Sequence, residues 1–72
     1  MNNVRFANSV TINNIVFHYK VDNSGLVWIV DPKTGTEISV GQNRPVSNEQ
    51  DAKEAAIDII TSSGLFIDYI SN

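Results

Sequence analysis

The chain has no cysteine, one histidine, two prolines and no long apolar run, and each shortage removes a class of answer. Without cysteine there can be no disulfide framework and no thiolate metal site. His18 alone cannot supply the imidazole set of a structural zinc site, so neither metal nor cofactor is expected. The longest unbroken apolar stretch, residues 26–30, is far shorter than the ~20 residues that cross a bilayer. The opening Met1-Asn2-Asn3-Val4-Arg5 lacks both the basic start and the apolar stretch of a secretion signal. A cytoplasmic protein with no membrane partner is therefore expected.

What is present suits one small domain spanning residues 1–72. Its 42% apolar content is that of a globular chain rather than a disordered one. A chain this short buries only about 60% of the surface it exposes when unfolded. With disulfides and metal excluded, stability must come from packing or from self-association as a homodimer. The net charge is −3 and unevenly placed. Residues 1–46 carry Arg5, Lys20, Lys33 and Arg44 against Asp22, Asp31 and Glu37, a balance of +1. Residues 47–72 carry Lys53 against Glu49, Asp51, Glu54, Asp58 and Asp68, a balance of −4. An acidic chain weighs against nucleic acid as the principal ligand, because such domains usually cluster lysine and arginine.

The first half reads as strands and the second as helix, which is the order of an α+β fold rather than of alternating α/β units. Val4, Phe6, Val10 and Ile12 recur with a period of two, as do Ile15, Phe17, Tyr19 and Val21. Asn13-Asn14 between them suits a two-residue hairpin turn, because asparagine tolerates the positive φ required there. That turn places Ile12 opposite Ile15, Val10 opposite Phe17 and Phe6 opposite Val21, so apolar meets apolar throughout.

A second turn lies at Asp22-Asn23-Ser24-Gly25. A two-residue loop at Asn23-Ser24 sets Tyr19 against Trp28, Phe17 against Val30 and Val21 against Leu26, building one aromatic face. A three-residue loop would set Phe17 against Asp31 and is disfavoured on that ground. The two-residue register sends Val27 and Ile29 to the opposite face. Asp31-Pro32-Lys33-Thr34-Gly35 forms the third turn, and a fourth strand over residues 37–40 follows in either of two registers.

Ser47-Asn48-Glu49-Gln50 has the form of a capping box with Ser47 as N-cap. Glu49 and Asp51 suit the positive end of the helix dipole. Ala52, Ala55, Ala56, Ile59 and Ile60 form a single stripe, and Gly64 suits the residue just beyond the helix end. A helix over residues 48–63 is expected to lay its alanines against the bulky aromatic face. Residues 65–70, rich in Leu, Phe, Ile and Tyr, are expected to form a short fifth strand. The expected architecture is ββββαβ: an antiparallel four-stranded meander with one helix on it.

No residue set marks a reaction. His18 and Ser9 face each other across the first hairpin, where ordinary polar pairing outweighs half of a catalytic dyad. Glu54 and Asp58 are spaced i, i+4, as a solvated helix face requires no less than a cation site. Gly25, Gly35, Gly41 and Gly64 are isolated, so there is no phosphate loop. Strands followed by one helix is similar in topology to the sheet-plus-helix DNA-binding modules of phage-type integrases, which read DNA with the sheet. Residues 22–36 look like the central hairpin of a WW domain, but Ser39 or Val40 stands where its second tryptophan would be. No residue role is carried over from either.

The function expected is thus a small non-enzymatic protein-binding or regulatory module, of the accessory kind encoded by phages and mobile elements. Its candidate partner surfaces are the sheet face of Val16, His18, Lys20, Val27 and Ile29, and the acidic helix face of Glu49, Asp51, Glu54 and Asp58. The occupant would be a protein partner or a second copy. A nucleic-acid-binding role for the sheet, with Lys20, His18, Arg5 and Arg44, is the alternative. On this reading Ile29→Asp leaves a folded chain with weakened binding.

Overall fold

The turns decide which residues reach which side of the sheet. In the computed structural model, which describes residues 4–40 and 45–70, β1 (Val4–Ile12) and β2 (Ile15–Asp22) are joined by Asn13 and Asn14. Both asparagines have positive φ, +55° and +66°, the left-handed pair that a tight hairpin needs. The register follows: Ile12 faces Ile15, Val10 faces Phe17 and Phe6 faces Val21, with an irregularity between Val4 and Phe6.

The next hairpin corrects the expected register. Between β2 and β3 (Val27–Val30), Tyr19 faces Ile29, Lys20 faces Trp28 and Val21 faces Val27. The Asp22 amide bonds the Leu26 carbonyl, so the loop holds three residues, Asn23, Ser24 and Gly25. Gly25 closes it at φ +88°, the left-handed third position that three-residue hairpins favour. The pairing of Phe17 with Asp31 that weighed against this loop does not arise, because β3 ends at Val30. The one-residue shift exchanges the two faces of β3. Val27 and Ile29, expected outside, are fully buried, and Trp28, expected in the aromatic core, lies on the other side. Ile29→Asp is therefore expected to unfold the chain.

β4 (Glu37–Ile38) completes an open antiparallel sheet of order β1-β2-β3-β4. Its register, Ile29 to Ile38 and Val30 to Glu37, turns Ile38 to the core. Pro32, Lys33, Thr34 and Gly35 form the connecting loop, closed by the Asp31 amide on the Thr36 carbonyl.

α1 (Glu49–Ser62) crosses one face of the sheet. Its N-cap is Asn48 rather than Ser47: the Asn48 side chain accepts from the Asp51 amide at 2.9 Å. Asparagine is at least as good a cap as serine, which shifts the start by one residue. Ala52 and Ala56 are fully buried, and their small side chains let α1 approach a face filled by Phe17, Tyr19, Val21, Val27 and Ile29. Ser63 caps the end, and Gly64 follows at φ +82°.

The expected fifth strand is instead a short helix, α2 (Ile67–Ile70). Phe66, Tyr69 and Ile70 are spaced i, i+3, i+4 and turn inward, while Leu65 and Ile67 remain more than half exposed. Phe66 is fully buried and meets Phe17 edge to face at 5.7 Å, as does Tyr69. This segment packs on the same side of the sheet as α1.

Candidate partner-binding face

With both helices on one side, the other side of the sheet is covered by no described element. Residues of alternating position reach it: Ala7, Ser9 and Thr11 from β1, Val16, His18 and Lys20 from β2, Trp28 and Val30 from β3, and Glu37 from β4. Val16, one residue past the closing pair of the first hairpin and opposite Thr11, is 47% exposed. Trp28, opposite Lys20, and Val30, level with His18, are half-buried. Lys20 reaches over β3 to Glu37 and forms an ion pair at 2.5 Å, so part of the apolar β3 surface is roofed by a neutralised pair. An exposed pair of this kind contributes at most about 1 kcal/mol. A shallow concavity lies between β1 and β3, lined by Ala7, Ser9, His18, Lys20 and Val30.

Asp22 fastens the lower end of this face. Its Oδ1 accepts from the Ser24 hydroxyl at 2.6 Å, the Ser24 amide at 2.9 Å and the Leu26 amide at 3.1 Å. Its Oδ2 accepts from the Trp28 indole at 3.1 Å. The Ser24 hydroxyl first, then the Leu26 amide and the indole, hold the carboxyl down at about 2. A carboxylate that serves the turn thereby orients the one tryptophan of the open face.

Of the sequence-derived candidates, Val16, His18 and Lys20 share this face, and Ser9 stands opposite His18. Val27 and Ile29 do not, for the register reason above. Trp28 and Val30 take their places, and Gly25 was the signal for them. Arg44 lies outside the described residues, as does the Arg5 side chain.

The acidic set is on the opposite side of the molecule. Glu49 accepts from the Asn8 amide at 3.4 Å, Glu54 accepts from Gln50 at 3.0 Å, and Asp58 accepts from the Ser62 hydroxyl at 3.2 Å. Asp51 takes part in the cap. Among the described residues no group of three or more such side chains is placed to hold a metal ion. Nor is any helix long and apolar enough to cross a membrane.

Comparison with known protein families, curated proteins and solved structures gives no match to this chain.

Proposed function

We propose that this chain is a small non-enzymatic protein-binding module of the cytoplasm, which contacts its partner through the open sheet face. The observation that carries this reading is that exposed Val16 and half-buried Trp28 and Val30 reach one uncovered sheet face, interleaved with Ser9, Thr11, His18 and Lys20. A mixed apolar and polar surface is the usual make-up of a non-obligate protein interface, and tryptophan is among the residues most enriched at its hot spots. Lys20 is already paired with Glu37, so the face offers little free positive charge to a phosphate backbone. The acidic face of α1 is a second surface, suited to drawing in a basic protein by charge.

The test compares the wild-type chain with Val16→Glu, a change at an exposed position that spares the core. A host protein that the wild type retains, that Val16→Glu loses, and that binds again as a purified pair supports the reading. Equal retention by a folded Val16→Glu contradicts it. The nucleic-acid alternative requires a salt-dependent shift with DNA or RNA that Lys20→Glu weakens, and absence of binding at low salt ends that alternative.

A further inference from the structure

The two edges of the sheet differ. β4 spans two residues, whereas β1 spans nine and has no neighbour on its outer side among the described residues. In a two-residue hairpin the closing pair, here Ile12 and Ile15, exchanges both backbone bonds, and bonding pairs then alternate. Val10, Asn8 and Phe6 thus point their main-chain groups at β2, and Ala7, Ser9 and Thr11 point theirs outward. Ser9 agrees with this: its amide is taken by the Asn8 side chain, at 2.9 Å. Edges of this length are usually guarded by lysine or proline. β1 has neither, and Arg5 is its one charged residue.

On the helix side of this edge the charge that meets the strand is Glu49, whose Oε2 stands 3.4 Å from Asn8 Nδ2. Lys53 follows it one turn on, and Asp51 and Glu54 face away around α1. Among the described residues the one ion pair is that of Lys20 with Glu37 on the far face, and the hydrogen-bond partner of Glu49 is the Asn8 side-chain amide.

We propose that the outer edge of β1 is a strand-addition site for an extended basic segment of a partner protein. Its main chain pairs with Ala7, Ser9 and Thr11, and its lysine or arginine side chains lie alternately on the helix side against Glu49. In this mode main-chain bonds supply affinity and alternate side chains supply specificity. Asn8 is the residue displaced: the incoming carbonyl takes the Ser9 amide, and the incoming cation takes Glu49. A second copy suits the edge less well, because a chain of net charge −3 would bring its own Glu49 to the same place. The inference rests on the protein-binding reading but uses the outward main chain of β1, whereas that reading uses the side chains of the open face. N-methylation of the peptide removes the first mode and not the second, so each can fail alone.

The experiment titrates the 15N-labelled full chain with three acetylated peptides of about eight residues, long enough for one strand. The first alternates lysine with valine, the second replaces each lysine by glutamate, and the third is the lysine peptide N-methylated where its amides would face β1. The lysine peptide is expected to shift the amides of Ala7, Ser9 and Thr11 saturably. The other two should bind at least about tenfold more weakly, and Glu49→Gln should weaken the first. Shifts centred on Val16, Trp28 and Val30 with the edge unmoved would overturn the edge site while leaving the open-face reading intact. Equal binding of the lysine and glutamate peptides would overturn the charge selection, and no binding of any peptide would overturn the proposal entirely. Concentration-dependent shifts at β1 without peptide would replace it with self-pairing.

Discussion

Two aspartates, Asp22 at the end of β2 and Asp31 just after β3, do similar work at successive turns. Asp31 accepts from the Lys33 and Thr34 amides and from the Tyr69 hydroxyl, the last at 2.7 Å, so it ties α2 to the β3–β4 turn. The Tyr69 hydroxyl foremost lowers the Asp31 carboxyl, and the same bond raises Tyr69. Both aspartates sit below their ordinary 3.8 in the folded chain, Asp22 at about 2. A lowered carboxylate favours the folded state above its unfolded pKa, and that contribution is lost as pH falls through the folded value. The urea midpoint of the wild type, followed by the fluorescence of Trp28, should therefore fall between about pH 4 and pH 2. Asp22→Asn should begin lower at neutral pH and change less over that window; parallel curves would show that Asp22 is not the group. Tyr19 gives a prediction of opposite sign. Its hydroxyl is buried with no partner among the described residues, and burial first, then Glu49, raises its pKa. Since an unmade buried hydrogen bond costs about 1–3 kcal/mol, Tyr19→Phe should leave thermal stability unchanged or raise it by about 1 kcal/mol.

Among the elements, the first hairpin and α1 were legible in the sequence because two independent signals agreed in each. Asn13-Asn14 and the alternation on either side demand one register. For α1, the alanine–isoleucine stripe and Gly64 bound it to within a residue, although Asn48 and Ser47 compete to start it. The second hairpin departs from the expected register because Leu26, Val27, Trp28, Ile29 and Val30 are apolar on both sides, so either register fills the core. Gly25 breaks the tie through backbone conformation, not hydrophobicity. A Cβ there would also lie 2.5 Å from Pro45 Cβ and 3.0 Å from the Val46 amide nitrogen, whose hydrogen bonds the Gly25 carbonyl. Gly35 has positive φ too, but open space around it. Gly35→Ala should therefore cost about 1–2 kcal/mol from conformation alone, and Gly25→Ala clearly more, by chemical denaturation. Asn48→Ala should cost about 1 kcal/mol as a lost cap. α2 stands where a strand is expected because a short apolar run carries strand and helix periodicities together. Only the inward spacing of Phe66, Tyr69 and Ile70 distinguishes them.

At the scale of the whole molecule, both helices lie on one side of the sheet. α1 lies across β1 and β3, and Phe66 and Tyr69 close over Phe17. Phe66→Ala should cost about 3–5 kcal/mol, a large share of the stability of so small a domain. This one-sidedness leaves the Val16, Trp28 and Val30 face open, and the functional reading depends on it. Which residues occupy that face depends in turn on the register of β2 with β3. Nuclear Overhauser contacts between α-protons test it most directly, because the non-hydrogen-bonded pairs of an antiparallel ladder bring their α-carbons within about 4.5 Å. Strong α–α contacts between Tyr19 and Ile29 and between Val21 and Val27 are predicted. A Tyr19–Trp28 pairing instead would return tryptophan to the core, expose Val27 and Ile29, and contradict the account.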